Sequence, residues 1–130
     1  MVNFIKLLKG YGMKAPAPRQ KSEHEEQREF VSWFRKTYGS VRIFAIPNGG
    51  HRNLATAARL KAEGVSPGVP DLYVPEWKLW IEMKKSKGST TSDHQNDWIA
   101  YLIKAKNTVI VAYGAEQAKK EVIKFYQEIK

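Results

Sequence analysis

The run Pro70-Asp71-Leu72-Tyr73-Val74-Pro75-Glu76-Trp77-Lys78-Leu79-Trp80-Ile81-Glu82-Met83-Lys84 holds two short segments rich in branched and aromatic residues around a central break. Asp71–Pro75 and Lys78–Lys84 each read as a β-strand, and a tight connection at Glu76-Trp77 makes them a hairpin. Antiparallel pairing about that turn sets Asp71 opposite Glu82 or Met83. The two-residue period puts Glu82 and Lys84 on one face and Met83 on the other. Two carboxylates brought together repel each other and invite a cation. Oxygen ligands of this kind suit a hard divalent ion such as Mg²⁺ or Mn²⁺. The Met83 backbone carbonyl is a candidate further ligand, and Lys84 carries an ammonium to the same edge. A hairpin whose charges merely face water is the plain alternative, because the pattern D-x10-E-x-K is loose when taken alone.

Working outward, the spacing predicts a first helix from Ser22 to about Tyr38, a strand over Val41–Ile46, and a helix from about Asn53 to Glu63 ended by Gly64. After the hairpin come a helix from about Asp93 to Lys106, a strand over Thr108–Tyr113, and a last helix with Ala118, Val122, Phe125 and Ile129 on one face. The order α-β-α-β-β-α-β-α is that of an α/β layer fold. Trp33, Trp80, Trp98 and Ile99 fall at positions expected of core or interface residues.

The chain has 22 basic and 13 acidic residues, a formal net charge of +9 on 130 residues. That balance favours a polyanionic partner, held through phosphates in a salt-sensitive way without reading sequence. No apolar span or signal peptide is visible, so a membrane role is not expected. The absence of cysteine excludes disulfides and thiol catalysis, makes zinc improbable and fits a reducing cytoplasm. With 42% hydrophobic residues, one domain of ordinary size is supported. Residues 1–21, which include Gly10-Tyr11-Gly12 and Ala15-Pro16-Ala17-Pro18, read as an N-terminal basic arm and linker, and residues 22–130 as the folded domain. Lys85 and Lys87, followed by the loop Gly88–Ser92, are candidates for contact with a phosphate backbone, as are Asn48, His51 and Arg52 around the Pro47–Gly50 turn. Arg59 and Lys61 are read as solvated surface.

Several spaced segments resemble one family: Ile46-Pro47-Asn48-Gly49-Gly50, Ala55–Val65, Gly68-Val69-Pro70-Asp71-Leu72, Ile81-Glu82-Met83-Lys84 and Ser92-Asp93-His94-Gln95. Together they are similar to the virus-type replication-repair nuclease (VRR-NUC) domain of the PD-(D/E)XK superfamily, from about Ser22 to the C-terminus. The resemblance implies a mixed central sheet flanked by helices, with a Mg²⁺ or Mn²⁺ site and no other small-molecule cofactor. Asp71, Glu82 and Lys84 would be the central catalytic residues. The superfamily core, α-β-β-β-α-β, matches the predicted order with one helix inserted before the hairpin.

The resemblance also implies a glutamate, and a glutamine four residues on, in the helix before the sheet, the spacing of Glu23 and Gln27. At 100° per residue Glu23, Glu26 and Gln27 share the face of Phe30, Trp33 and Phe34. Glu25 points away, and Ser22-x-x-Glu25 is a capping box. Glu23 is therefore preferred as the third metal ligand, with Glu26 second; dipole stabilisation at a helix start is the alternative role for each. Gln95 occupies a site where the family has a glutamine, and Ser92-x-x-Gln95 is a second capping box. Catalytic support and capping are compatible there.

The activity that follows is metal-dependent hydrolysis of DNA phosphodiesters, with the ion lowering the pKa of a water and Lys84 positioning that water or balancing charge on the pentacovalent phosphate. No covalent intermediate is needed. The resemblance further implies 5′-phosphate products, and a homodimer acting on branched DNA such as four-way (Holliday) junctions in recombination and repair. A compact single domain points to a phage source, acting in the host cytoplasm. Rival expectations are flap or nicking activity, a restriction-type endonuclease, and a catalytically silent DNA-binding accessory protein.

Overall fold

The computed structural model describes residues 6–7, 10–13, 19–47 and 53–130. Asn48, His51, Arg52 and much of the 1–21 arm therefore lie outside the described residues. Helix α1, Glu23–Thr37, begins at the expected capping box: Glu25 N–H donates to Ser22 Oγ at 3.2 Å, and Ser22 N–H donates to the Glu25 carboxylate at 3.3 Å. Strand β1 is Phe44–Ala45, and helix α2, Leu54–Ala62, is capped by the Asn53 side chain. Strands β2, Leu72–Val74, and β3, Leu79–Lys84, follow. Helix α3, Asp93–Lys104, leads to strand β4, Thr108–Tyr113, and helix α4, Ala115–Ile129, ends the chain.

The four strands form one mixed sheet in the order β1-β2-β3-β4. The first two pairings are antiparallel and β3 with β4 is parallel, with α3 as the crossover. Alternation sends Leu72, Val74, Leu79, Ile81, Met83 and Ala112 to one face. There they pack under Phe30 and Phe34 of α1 and Ala115, Ala118 and Val122 of α4. Each large apolar side chain buried in this way contributes about 1.5–3 kcal/mol. The opposite face carries Tyr73 and Trp80, stacked with ring centroids 4.2 Å apart, beside Phe44. Asp71, Glu82 and Lys84 share its parity.

Two expectations need correction. The hairpin connection is not a tight turn at Glu76-Trp77 but a 3-10 turn over Pro75–Trp77 followed by Lys78 in the left-handed region at φ 48°. Pro75 has no N–H and cannot extend the ladder. The same chemistry shortens β1, expected over Val41–Ile46. Its partner β2 lies between Pro70 and Pro75 and offers only three residues to pair with. Ile129 shares the helical face of Ala118, Val122 and Phe125 but, as the last residue of α4, is 47% exposed. Among the described residues no helix is long and apolar enough to cross a membrane.

Candidate active site

The register fixes the first pair. Leu72 faces Ile81, so one step further along the same antiparallel register Asp71 faces Glu82. The Asp71 carboxylate reaches slightly past it, Oδ2 accepting the Met83 N–H at 2.7 Å. The next position opposite Met83 belongs to Pro70, which has no N–H to give, so the ladder sends no donor to the Met83 carbonyl on that side.

Glu82 is 1% exposed, and its Oε2 is buried without a hydrogen-bond partner. Glu23 enters from the first turn of α1. One carboxylate oxygen each from Glu23, Asp71 and Glu82 lie within 4.8 Å of one another. Burial, and then the Asp71 carboxylate beside it, push the Glu82 carboxyl up to about 9. Burial and the Asp71 charge also raise Glu23, with Lys84 opposing. Three close acids, one with a buried oxygen lacking any donor, suit a hard divalent cation, which would supply the missing positive charge. The donor set therefore fits Mg²⁺ or Mn²⁺.

Lys84 is buried on the same face, and its Nζ donates to Gln95 Oε1 at 2.9 Å. That oxygen also accepts the Ser92 N–H at 2.8 Å, while the Gln95 N–H donates to Ser92 Oγ. Gln95 thus closes the capping box of α3 and holds the lysine with one atom. The Val65–Pro70 loop is pressed against this helix start. A Cβ on Gly68, at φ 91°, would lie 2.5 Å from the His94 backbone.

These groups line a cleft of about 680 Å³ that also takes in His94 and, from α2, Lys61. Lys61 is exposed, as expected of solvated surface, while also lining this cleft, and Arg59 pairs with Glu63 on the exposed side of α2. The signal was available in the helical phase, since Ala57, Leu60 and Lys61 share one face at i, i+3 and i+4.

The other candidates are distributed differently. Glu26, second choice for the metal, is placed elsewhere by the fold: it is 6% exposed and accepts the Ala115 N–H at 3.2 Å. It caps α4 from a distance, because the residue at that cap, Gly114, has no side chain to do so. Gln27 lines an adjoining groove beside His24 and Arg28 rather than the acidic cleft. Glu25 keeps its capping role and is also gripped by Arg19 through two hydrogen bonds of 2.8 and 2.9 Å; that side-chain contact leads in holding its carboxyl down at about 2. Lys85 is near enough to lower Glu23 electrostatically, while Lys87 lies by the start of α4 and its carbonyl accepts from Gln20.

No protein-family model and no curated protein matches the sequence. Among solved structures, one described as a VRR_NUC domain protein superposes with a TM-score of 0.70, covering 85% of this chain and 92% of that one at 23% identity. The chain therefore shares the α/β fold of that VRR_NUC domain protein.

Proposed function

We propose that this protein is a divalent-metal-dependent nuclease that hydrolyses DNA phosphodiester bonds. The observation that carries the reading is the convergence of Glu23, Asp71 and Glu82, with the buried Glu82 Oε2 left without a donor. Asp71, Glu82 and Glu23 would hold Mg²⁺ or Mn²⁺, with the Met83 carbonyl as a further ligand. Such an ion lowers the pKa of water and stabilises charge on a phosphoryl oxygen.

The remaining steps belong to side chains. Lys84, held by Gln95, directs its ammonium at the attacking water or the phosphate oxygens. Asp71, pinned by the Met83 N–H, keeps one oxygen turned to the Glu82 side of the site. Lys85, Lys87, Asn48, His51 and Arg52 would contact the phosphate backbone, in keeping with the net charge of +9. Branched DNA, four-way junctions first, is the substrate class proposed, cut by a homodimer whose two sites address two strands.

The test is cleavage of labelled four-way junction, flap, single-strand and linear duplex DNA with Mg²⁺, Mn²⁺ or chelator. Metal-dependent cutting of the junction in preference to the linear forms is expected. Tight binding of every form without cutting by folded protein would reduce the function to DNA binding.

A further inference from the structure

Beside the acidic cleft runs a second hollow, of about 660 Å³, between α1 and the sheet edge at β1. Its helix wall carries His24, Arg28, Arg35 and Lys36, and Ile43 and Phe44 are among the residues opposite. No acidic residue lines it. The carboxylates of α1 point elsewhere: Glu25 pairs with Arg19, Glu29 with Lys21 and Lys119, and Glu26 caps α4. Of the cations, Arg35 is anchored by donating to the Ile43 carbonyl at 3.3 Å. Arg28 and Lys36 are exposed and have no carboxylate within ion-pair distance among the described residues.

The groove adjoins the acidic site at the start of α1, where His24 is near enough to Glu23 to act on it electrostatically. His24 follows Glu23 in α1, and Leu72, which lines the groove, follows Asp71 in β2. Arg28 and Arg35 are seven residues apart, about 10 Å along the helix axis, roughly three nucleotide steps of a B-form strand. Phe44, 46% exposed, adds an aromatic ring on the opposite wall that can meet a sugar or an unpaired base.

We propose that this α1–β1 groove is a second nucleic-acid site, which grips the phosphate backbone a few nucleotides from the bond at the acidic cleft. The occupant is a DNA backbone, chosen because the wall is cationic without counter-charges and opens beside the carboxylate cluster. The inference rests on the nuclease reading for its nearness to a cleavage site, but its own readout is binding.

The test compares wild type with the double variant Arg28→Gln/Lys36→Gln, which leaves the anchored Arg35 in place. Binding of a fluorescent duplex is measured by anisotropy in chelator over a series of salt concentrations, and cleavage is measured in parallel with Mn²⁺. Loss of two phosphate contacts is expected to lower the slope of log K against log salt by about 2 and to weaken binding by about tenfold at moderate salt. The melting temperature should stay unchanged. An unchanged slope and affinity in a wild type that still cuts DNA would overturn the groove and leave the nuclease reading standing. A reduced slope in a protein that never cuts would do the reverse.

Discussion

Lys84 and Gln95 meet at 2.9 Å, Nζ to Oε1, and the same glutamine oxygen caps α3, the helix that follows β3. A structural role and a chemical one thus share an atom, and substitutions can separate them. Ser92→Ala removes only the cap and should cost about 1 kcal/mol of stability with kcat preserved. Gln95→Ala removes cap and lysine anchor together. It should cost a similar amount of stability and lower kcat by about 10- to 100-fold, as loss of a supporting contact typically does. Denaturant melts and steady-state cleavage of both variants check this.

Glu82 makes the metal-free protein sensitive to pH. Its carboxyl titrates near 4.5 in an unfolded chain and at about 9 in the fold. Between those values the unfolded state releases a proton that the folded state retains, so stability falls as pH rises. Melting temperatures in chelator should therefore decline from pH 5 to pH 8. Glu82→Gln should flatten that part of the profile, and Mn²⁺ should raise the wild-type melting temperature most at the alkaline end. A wild-type profile as flat as that of the variant would contradict the account.

Two glutamates one helical turn apart should part company on substitution. Glu26→Ala leaves the Ala115 N–H unsatisfied in a buried setting and should cost about 1–3 kcal/mol without altering Mn²⁺ affinity in folded protein. Glu23→Gln should weaken Mn²⁺ binding with little loss of stability. Calorimetric titration alongside thermal melts distinguishes them.

Gly68→Ala should be more damaging than Gly64→Ala. Both glycines have positive φ, but an added Cβ at Gly68 would meet the His94 backbone at 2.5 Å, whereas at Gly64 nothing lies within 4 Å. The backbone of the loop and of the α3 start would have to separate, disturbing Asp71 and Gln95 together. A strained site of this kind costs about 1–3 kcal/mol before the clash is counted. The melting temperatures of the two variants should rank accordingly.

The elements most legible in the sequence were those with local signals. The Ser22 and Ser92 capping boxes placed two helix starts, and the Asp71–Lys84 pattern gave the antiparallel hairpin while leaving Glu82 and Met83 both open as partners of Asp71. Helical phase alone put Glu23, Glu26 and Gln27 on one face. It could not separate them, because their fates depend on what other elements bring: Gly114 and Ala115 to Glu26, Asp71 and Glu82 to Glu23, Phe44 and Leu72 to the groove at Gln27. The two-residue β1 was overestimated for a similar reason, since strand length depends on the partner and β2 is limited by Pro70 and Pro75. Lys61 is exposed as expected, and its place along the cleft depends on residues of other strands and helices.

Glu23, Asp71 and Glu82 are proposed to hold a divalent ion for phosphodiester hydrolysis. That role is tested most directly by incubating labelled DNA with purified protein in Mn²⁺, beside Asp71→Ala and Glu82→Ala variants shown by circular dichroism to be folded. Cutting by wild type that disappears in chelator and in both variants is the predicted result. Cutting that persists in either folded variant, or its absence from wild type in both Mn²⁺ and Mg²⁺, would contradict it.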